Sequence, residues 1–156
     1  MIQRLLPQIT VAVFLVSFVE ASTFHDASNT NEAVAMLTFA QAEAETLHQG
    51  CTSIFPADSA ALSSNYEKWK QDEFAVIEKS KVLATIAISK NPDIQQYIDR
   101  VKENATARLK VASTTNDARL AVQKYCISYF NNLATGVWRT RTPDVYKFVT
   151  DAKLPE

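Results

Sequence analysis

Glycine is nearly absent from this sequence, with two residues in 156, and only five prolines accompany it. Sandwiches and barrels need a turn every few residues, and these two residue types supply most tight turns. Their scarcity argues against an all-β fold and favours long helices. We therefore expect an all-α protein, namely an antiparallel bundle of four main helices plus a short C-terminal helix, joined by one disulfide.

The first 21 residues, MIQRLLPQITVAVFLVSFVEA, have the layout of a secretory signal peptide. A cation at Arg4 precedes an apolar run over residues 9–19, and a small residue, Ala21, follows it. The alternative is an uncleaved N-terminal anchor, but the run is shorter than the roughly 20 residues that cross a bilayer. We predict a signal peptide at 1–21, a flexible N-terminal arm at 22–30 and a single helical domain at 31–156. The predicted location is the periplasm or the extracellular space.

The chain has two cysteines, Cys51 and Cys126, and the compartment decides their chemistry. In an oxidising compartment two cysteines of one chain usually pair, which predicts a bridge between them. A metal site with Cys51 and His48 is the alternative, but a metal needs three or four ligands at suitable spacing. His25 and two paired cysteines do not complete such a set. We expect no metal and no cofactor.

Spacings of three and four between apolar residues predict the helices one by one. The predicted helices cover residues 31–50, about 64–89, 91–112 and 117–135, and a short one follows Thr142 and Pro143. Their expected boundary residues are the cap Asn31 and the terminating Gly50, the capping pair Ser64 and Glu67, the cap Asn91 with Pro92, and the terminating Gly136. Both cysteines continue apolar stripes, so their thiols should face the core.

Glu73 falls inside the apolar stripe of the second predicted helix. A buried acid has a raised pKa and suits proton transfer, which is the functional interpretation. The structural interpretation is that Glu73 lies at the edge of the stripe or meets a polar partner. We favour the structural interpretation, because no second acid or histidine is linked to Glu73 by spacing.

Trp138, Arg139 and Arg141 lie together in the segment GVWRTRTPD, between two predicted helices. Tryptophan and arginine are enriched at interface hot spots, and two guanidinium groups beside an indole could hold a carboxylate or a phosphate. The three residues are our candidate partner-binding site. The alternative is an ordinary helix connector with Trp138 in the core and two solvated arginines.

Sequence motifs of common enzymes are missing, since there is no glycine-rich phosphate loop, no G-x-S-x-G, no H-E-x-x-H and no C-x-x-C. We expect no enzymatic activity. A net charge of −1 provides no field for nucleic acid or an anionic membrane, and we expect neither as a partner after signal cleavage. Two hypotheses remain: a binding protein that occludes a protein partner, of the inhibitor or immunity type, and a carrier or sensor that holds a small apolar ligand between helices.

Overall fold

The structure is a computed structural model, and it describes residues 26–154. This part of the chain contains helices and no strand, so the predicted all-α bundle is confirmed. Its helices are α1 (Thr30–Ile54), α2 (Ser59–Asp72), α3 (Phe74–Lys90), α4 (Asp93–Lys110), a 3-10 turn (Val111–Ser113), α5 (Asn116–Ala134), α6 (Val137–Arg141) and α7 (Pro143–Asp151). The signal peptide predicted at residues 1–21 lies outside the described residues.

Helix α1 is the central element, and it packs against α2, α3, α4 and α7. Many of its buried side chains are small, which lets neighbouring helices approach closely; they are Ala33, Ala40, Ala42 and Ala44. The core forms two clusters. The larger one surrounds both cysteines, Leu109 and Phe130, and the smaller one lies between the first half of α1 and α7.

The disulfide between Cys51 and Cys126 is present, as predicted. It joins the end of α1 to the middle of α5 and bridges 75 positions of sequence. Both cysteines are fully buried. The sequence placed them correctly on core-facing stripes.

The N-terminal end of the described chain is bonded to the start of α7. The carboxylate of Asp26 accepts hydrogen bonds from the backbone N–H groups of Asp144 and Val145, each at 3.0 Å. Burial opposes this charge, but these two bonds and one from Ala27 hold the pKa of Asp26 below its usual range. Asn29 caps α1 through a 3.0 Å bond from the N–H of Glu32, two residues before the expected cap. Asp26 and Asn29, within the stretch predicted as a flexible arm, thus each make hydrogen bonds to a helix start.

Gly50 does not end the first helix, contrary to our prediction. Helix α1 continues to Ile54, and Gly50 lies inside it. A Cβ atom at this position would lie 2.1 Å from Cδ1 of Leu109 on α4. The glycine is thus placed where two helices approach closely, and not where a left-handed residue is needed.

The second predicted helix is divided into α2 and α3 at Glu73, whose φ of −106° and ψ of 10° interrupt it. The predicted start was also wrong, because α2 begins at Ser59 and contains Ser64 and Glu67. The other boundaries agree better. The side chain of Asn91 accepts a bond from Asp93 at 3.2 Å, and Gly136 adopts the left-handed conformation (φ 71°) directly after α5.

Candidate partner-binding groove

The three residues predicted to bind a partner lie together on the short helix α6, in different surroundings. Arg139 donates two hydrogen bonds to Glu73, one from Nε to Oε1 at 3.1 Å and one from Nη2 to Oε2. Its guanidinium also lies over the ring of Tyr146, 5.0 Å from the centroid. Arg139 is therefore engaged within the protein.

Trp138 and Arg141 differ from Arg139 in their surroundings. Trp138 is half-buried and packs against the larger core cluster. Arg141 is exposed and makes no ion pair with a described residue. Of the three predicted site residues, Arg141 is thus the one whose charge is available to a partner.

Glu73 is only 5 % exposed, which agrees with the structural interpretation of this acid as the partner of a polar group. It is held at the junction of α2 and α3 by the two bonds from Arg139. Burial and then the charge of Glu73 raise the pKa of the neighbouring Tyr146. The Tyr146 hydroxyl lies near the indole of Trp69, although Nε1 of Trp69 reaches hydrogen-bond geometry with no described residue.

A groove lies beside the C-terminal part of α1. Its volume is about 740 Å³, it is open to solvent on one side, and α1, α4, the 3-10 turn and α5 form its walls. The residues that line it are Thr46, Gln49, Gly50, Ser53, Ile54, Thr106, Leu109, Lys110, Ala112, Ser113 and Arg119. The groove lies beside the disulfide, which fixes α1 to α5.

The chain matches no protein-family model, no curated protein and no solved structure. Its own geometry therefore carries the functional argument.

The floor of the groove is apolar, and α1 and α4 approach each other closely there. Gly50 leaves the space that Leu109 occupies, and Leu109 and Ala112 are both about 5 % exposed. Ile54 is partly buried at one end of the floor. An apolar side chain of a partner would gain buried area here without displacing the core.

Two cations, Lys110 and Arg119, lie at the rim, and none of the described residues that line the groove is acidic. Nη2 of Arg119 donates to the backbone oxygen of Ile54 at 2.7 Å, and its guanidinium lies over the ring of Phe55. Lys110 makes no ion pair with a described residue. The arrangement can hold an apolar group on the floor and an anion at the rim.

Three of the four hydroxyl groups in the groove donate a hydrogen bond to a backbone oxygen of their own helical segment. Thr46 donates to Ala42, Thr106 to Lys102 and Ser113 to Lys110, at 2.7–2.9 Å. Their oxygens can still accept a bond. The donors left for an anion are chiefly the two cations and the amide of Gln49.

The side chains of His48 and Ser63 are hydrogen-bonded at 2.9 Å, and some catalytic sites use a serine and a histidine paired in this way. The ring of His48 stacks on Tyr66 and meets the edge of Phe130. Ser63 lies inside α2, where neighbouring N–H groups serve the helix, so they are not free to stabilise an oxyanion. We interpret this pair as a link between α1 and α2.

A second polar network joins α1, α4 and α5. Arg108 donates to Glu43 and, at 3.0 Å, to the hydroxyl of Tyr125, while the hydroxyl of Tyr129 donates to Glu43 at 3.2 Å. Burial raises the pKa of Tyr125 to about 12 and that of Tyr129 well above its usual value. The network satisfies its charges internally, so its role is to connect helices.

Sequence patterns missed the groove because its residues come from segments far apart in the chain. Leu109 and Ala112 do belong to the predicted apolar stripe of their helix, and Gly50 was noted only as a helix end. Nothing in the spacing placed Lys110 near Arg119. No cluster of three or more potential metal ligands occurs within residues 26–154, and no helix of that range is long and apolar enough to cross a membrane.

Proposed function

We propose that this protein is an exported, non-catalytic binding protein that occludes a protein partner at the groove between α1, α4 and α5. The observation that carries the proposal is the open groove itself, with its apolar floor and its two cations at the rim. Export is supported by the leader at residues 1–21 and by the buried disulfide, because disulfides persist in oxidising compartments.

The scaffold around the groove supports binding by a preformed surface. The disulfide connects α1 to α5, and α1 packs closely on α4 at Gly50, so three walls of the groove are mutually fixed. A surface that is already ordered loses less conformational entropy when a partner binds. Occlusion of a partner by a small rigid protein needs this property.

The open side of the groove favours a protein partner over an enclosed ligand. A small apolar ligand gains most when 70–90 % or more of its surface is buried, which a groove open to water does not provide. A protein segment covers the groove from outside and continues onto the surrounding surface. The volume, about 740 Å³, still lies within the range of small-molecule sites, so a small apolar ligand remains the second candidate.

Blocking the groove tests the proposal. Ser53 is exposed and lines the groove, and Ser128 is exposed on α5 outside it, so Ser53→Trp and Ser128→Trp form a matched pair. We would measure the native mass of the exported protein, gently purified from its own host, before and after denaturation. A second chain at fixed stoichiometry that is present in wild type and Ser128→Trp, and lost in Ser53→Trp, is the expected result.

Other outcomes of this measurement decide between the candidates. A small-molecule adduct that Ser53→Trp removes would replace the protein partner by a ligand. A partner chain that remains on Ser53→Trp would overturn the groove as the binding surface. Arg141→Ala then tests α6, because Arg141 is exposed, whereas loss of Arg139 would also leave Glu73 buried without its partner.

A further inference from the structure

The charge around the groove differs from that of the whole chain, which has 16 basic and 17 acidic residues. Within residues 26–154, two cations and no acid line the groove. Of the acids on α1, Glu43 is bonded to Arg108, and Glu45 lies near Tyr66, whose pKa is raised first by burial and then by Glu45. The described residues that line the groove therefore carry a net positive charge.

Arg119 is held in place before any partner arrives. One of its N–H groups bonds to the backbone oxygen of Ile54, and its Cζ atom lies 5.1 Å from the centroid of the Phe55 ring. A guanidinium has five N–H donors in a fixed fork, so donors remain for a carboxylate. Little side-chain entropy is lost when this group binds an anion.

Lys110 adds a second, mobile cation at the same rim. It is exposed, it ends α4, and none of its donors is bonded to a described residue. Lys110 lies at the negative end of α4, and Arg119 lies at the negative end of α1. These helix ends reduce the positive potential of the two cations. The charge that remains is still positive, because each helix end carries only about half an elementary charge.

Resting on the proposed function, we propose that the partner enters the groove with an acidic, amphipathic segment. Its apolar side chains cover the floor formed by Leu109, Ala112 and Ile54, and a carboxylate meets Lys110 and Arg119. The α1 wall spans residues 46–54, which is about 12 Å of helix and fits two turns of a docking helix.

A peptide pair tests this inference without the natural partner. The first is a peptide of about 12 residues with leucine and glutamate at helical spacing, and the second has glutamine in place of every glutamate. Titration into the isotope-labelled protein, followed by NMR, should shift backbone amides of residues 46–54 and 106–113. We expect the acidic peptide to bind at least about tenfold more tightly than its amide counterpart.

Charge reversal at the rim provides the matched control. Lys110→Glu should weaken the acidic peptide by about tenfold and leave the amide peptide unchanged, while Lys124→Glu, on an exposed site of α5 outside the groove, should change neither. Equal affinity of the two peptides, shifts outside the groove, or no binding of the acidic peptide at about 1 mM would overturn the inference. If the peptide test fails in one of these ways but Ser53→Trp still removes the partner chain from the protein purified from its host, the proposed function stands. Only the acidic specificity then fails.

Discussion

At the scale of single residues, the pair of Glu73 and Arg139 is the most consequential polar contact. Glu73 is 5 % exposed, and the side chain of Arg139 is 54 % exposed, so the acid depends on a partner that is itself in water. A buried carboxylate without hydrogen bonds is costly, whereas a bidentate arginine satisfies both of its oxygens. The contact ties α6 to the junction of α2 and α3.

Arg139→Ala should destabilise the protein by about 1–3 kcal/mol, less than for a fully buried pair because water reaches the guanidinium. The loss comes chiefly from Glu73, which would remain buried without a donor. Urea denaturation measures it, and Arg141→Ala, which removes a free cation from the same helix, should stay within about 0.5 kcal/mol of wild type. Equal effects of the two variants would show that the Glu73 contact contributes nothing.

His48 should make the stability of the protein depend on pH. Burial lowers the pKa of this imidazole from 6.5; Glu67 opposes the shift and Lys70 adds to it. Between the folded pKa and about 6.5 the unfolded chain holds more protons. The contribution of neutral His48 is therefore complete above about pH 6.5 and is lost as the pH falls through the folded value.

Comparison of wild type with His48→Gln isolates this effect from the carboxylates, which titrate at lower pH. We expect the free energy of unfolding of wild type to fall more steeply than that of His48→Gln when the pH is lowered from 7 to about 5.5. Denaturation curves at closely spaced pH values give both slopes. Parallel curves would mean that His48 titrates alike in the folded and unfolded chains.

At the scale of elements, the contact of α1 with α4 depends on Gly50. Alanine in a helix interior is normally better than glycine by about 1 kcal/mol. At this position its Cβ would overlap Cδ1 of Leu109, so this buried side chain would have to shift from its place in the core. We expect Gly50→Ala to cost about 1 kcal/mol net, since overpacking of a core outweighs the gain in helix propensity.

A double-mutant cycle with Leu109→Ala checks this explanation by urea denaturation. Once Leu109 is shortened, the added Cβ has space, and Gly50→Ala should become stabilising by up to about 1 kcal/mol. The change of sign is the signature of the contact. A Gly50→Ala effect of the same sign and size in both backgrounds would contradict it.

Helices with local signals were predictable, and those shaped by distant contacts were not. Gly136 and Pro143 mark the end of α5 and the start of α7 by their own conformational preferences. The break at Glu73 has no glycine or proline nearby, and the ion pair with Arg139, 66 positions away, accompanies it. Gly50 carried the sequence signal of a helix end but serves a tertiary contact instead.

At the scale of the whole molecule, the disulfide should contribute a large part of the stability. A bridge over 75 positions removes chain entropy from the unfolded state worth on the order of 4 kcal/mol. Total stabilities of such domains are about 5–15 kcal/mol, so the bridge accounts for at least about a quarter of the total. This difference can be measured by denaturation of the oxidised protein and of the same protein reduced after unfolding. Apart from the two sulfur atoms, the core side chains are the same in both.

The bridge itself and the all-α architecture were predictable at this scale, but the groove was not. The prediction of the pairing followed from two cysteines and from a sequence pattern typical of a signal peptide, and neither requires knowledge of how the helices pack. The groove depends on two features. The chain reverses its direction between α4 and α5, which brings Lys110 and Arg119 to one rim, and α1 extends to Ile54. Both are properties of packing that no local pattern contains.

The contact of Asp26 with the start of α7 affects the order in which the helices pack during folding. The two partners are separated by 118 positions, so the bond can form only when nearly the whole chain is present. The N-terminal end of the described chain must therefore wait for α7 before this contact can form. We therefore expect α7 to dock late and α1 to remain incompletely covered until then. A chaperone or a protease would meet the chain during this interval.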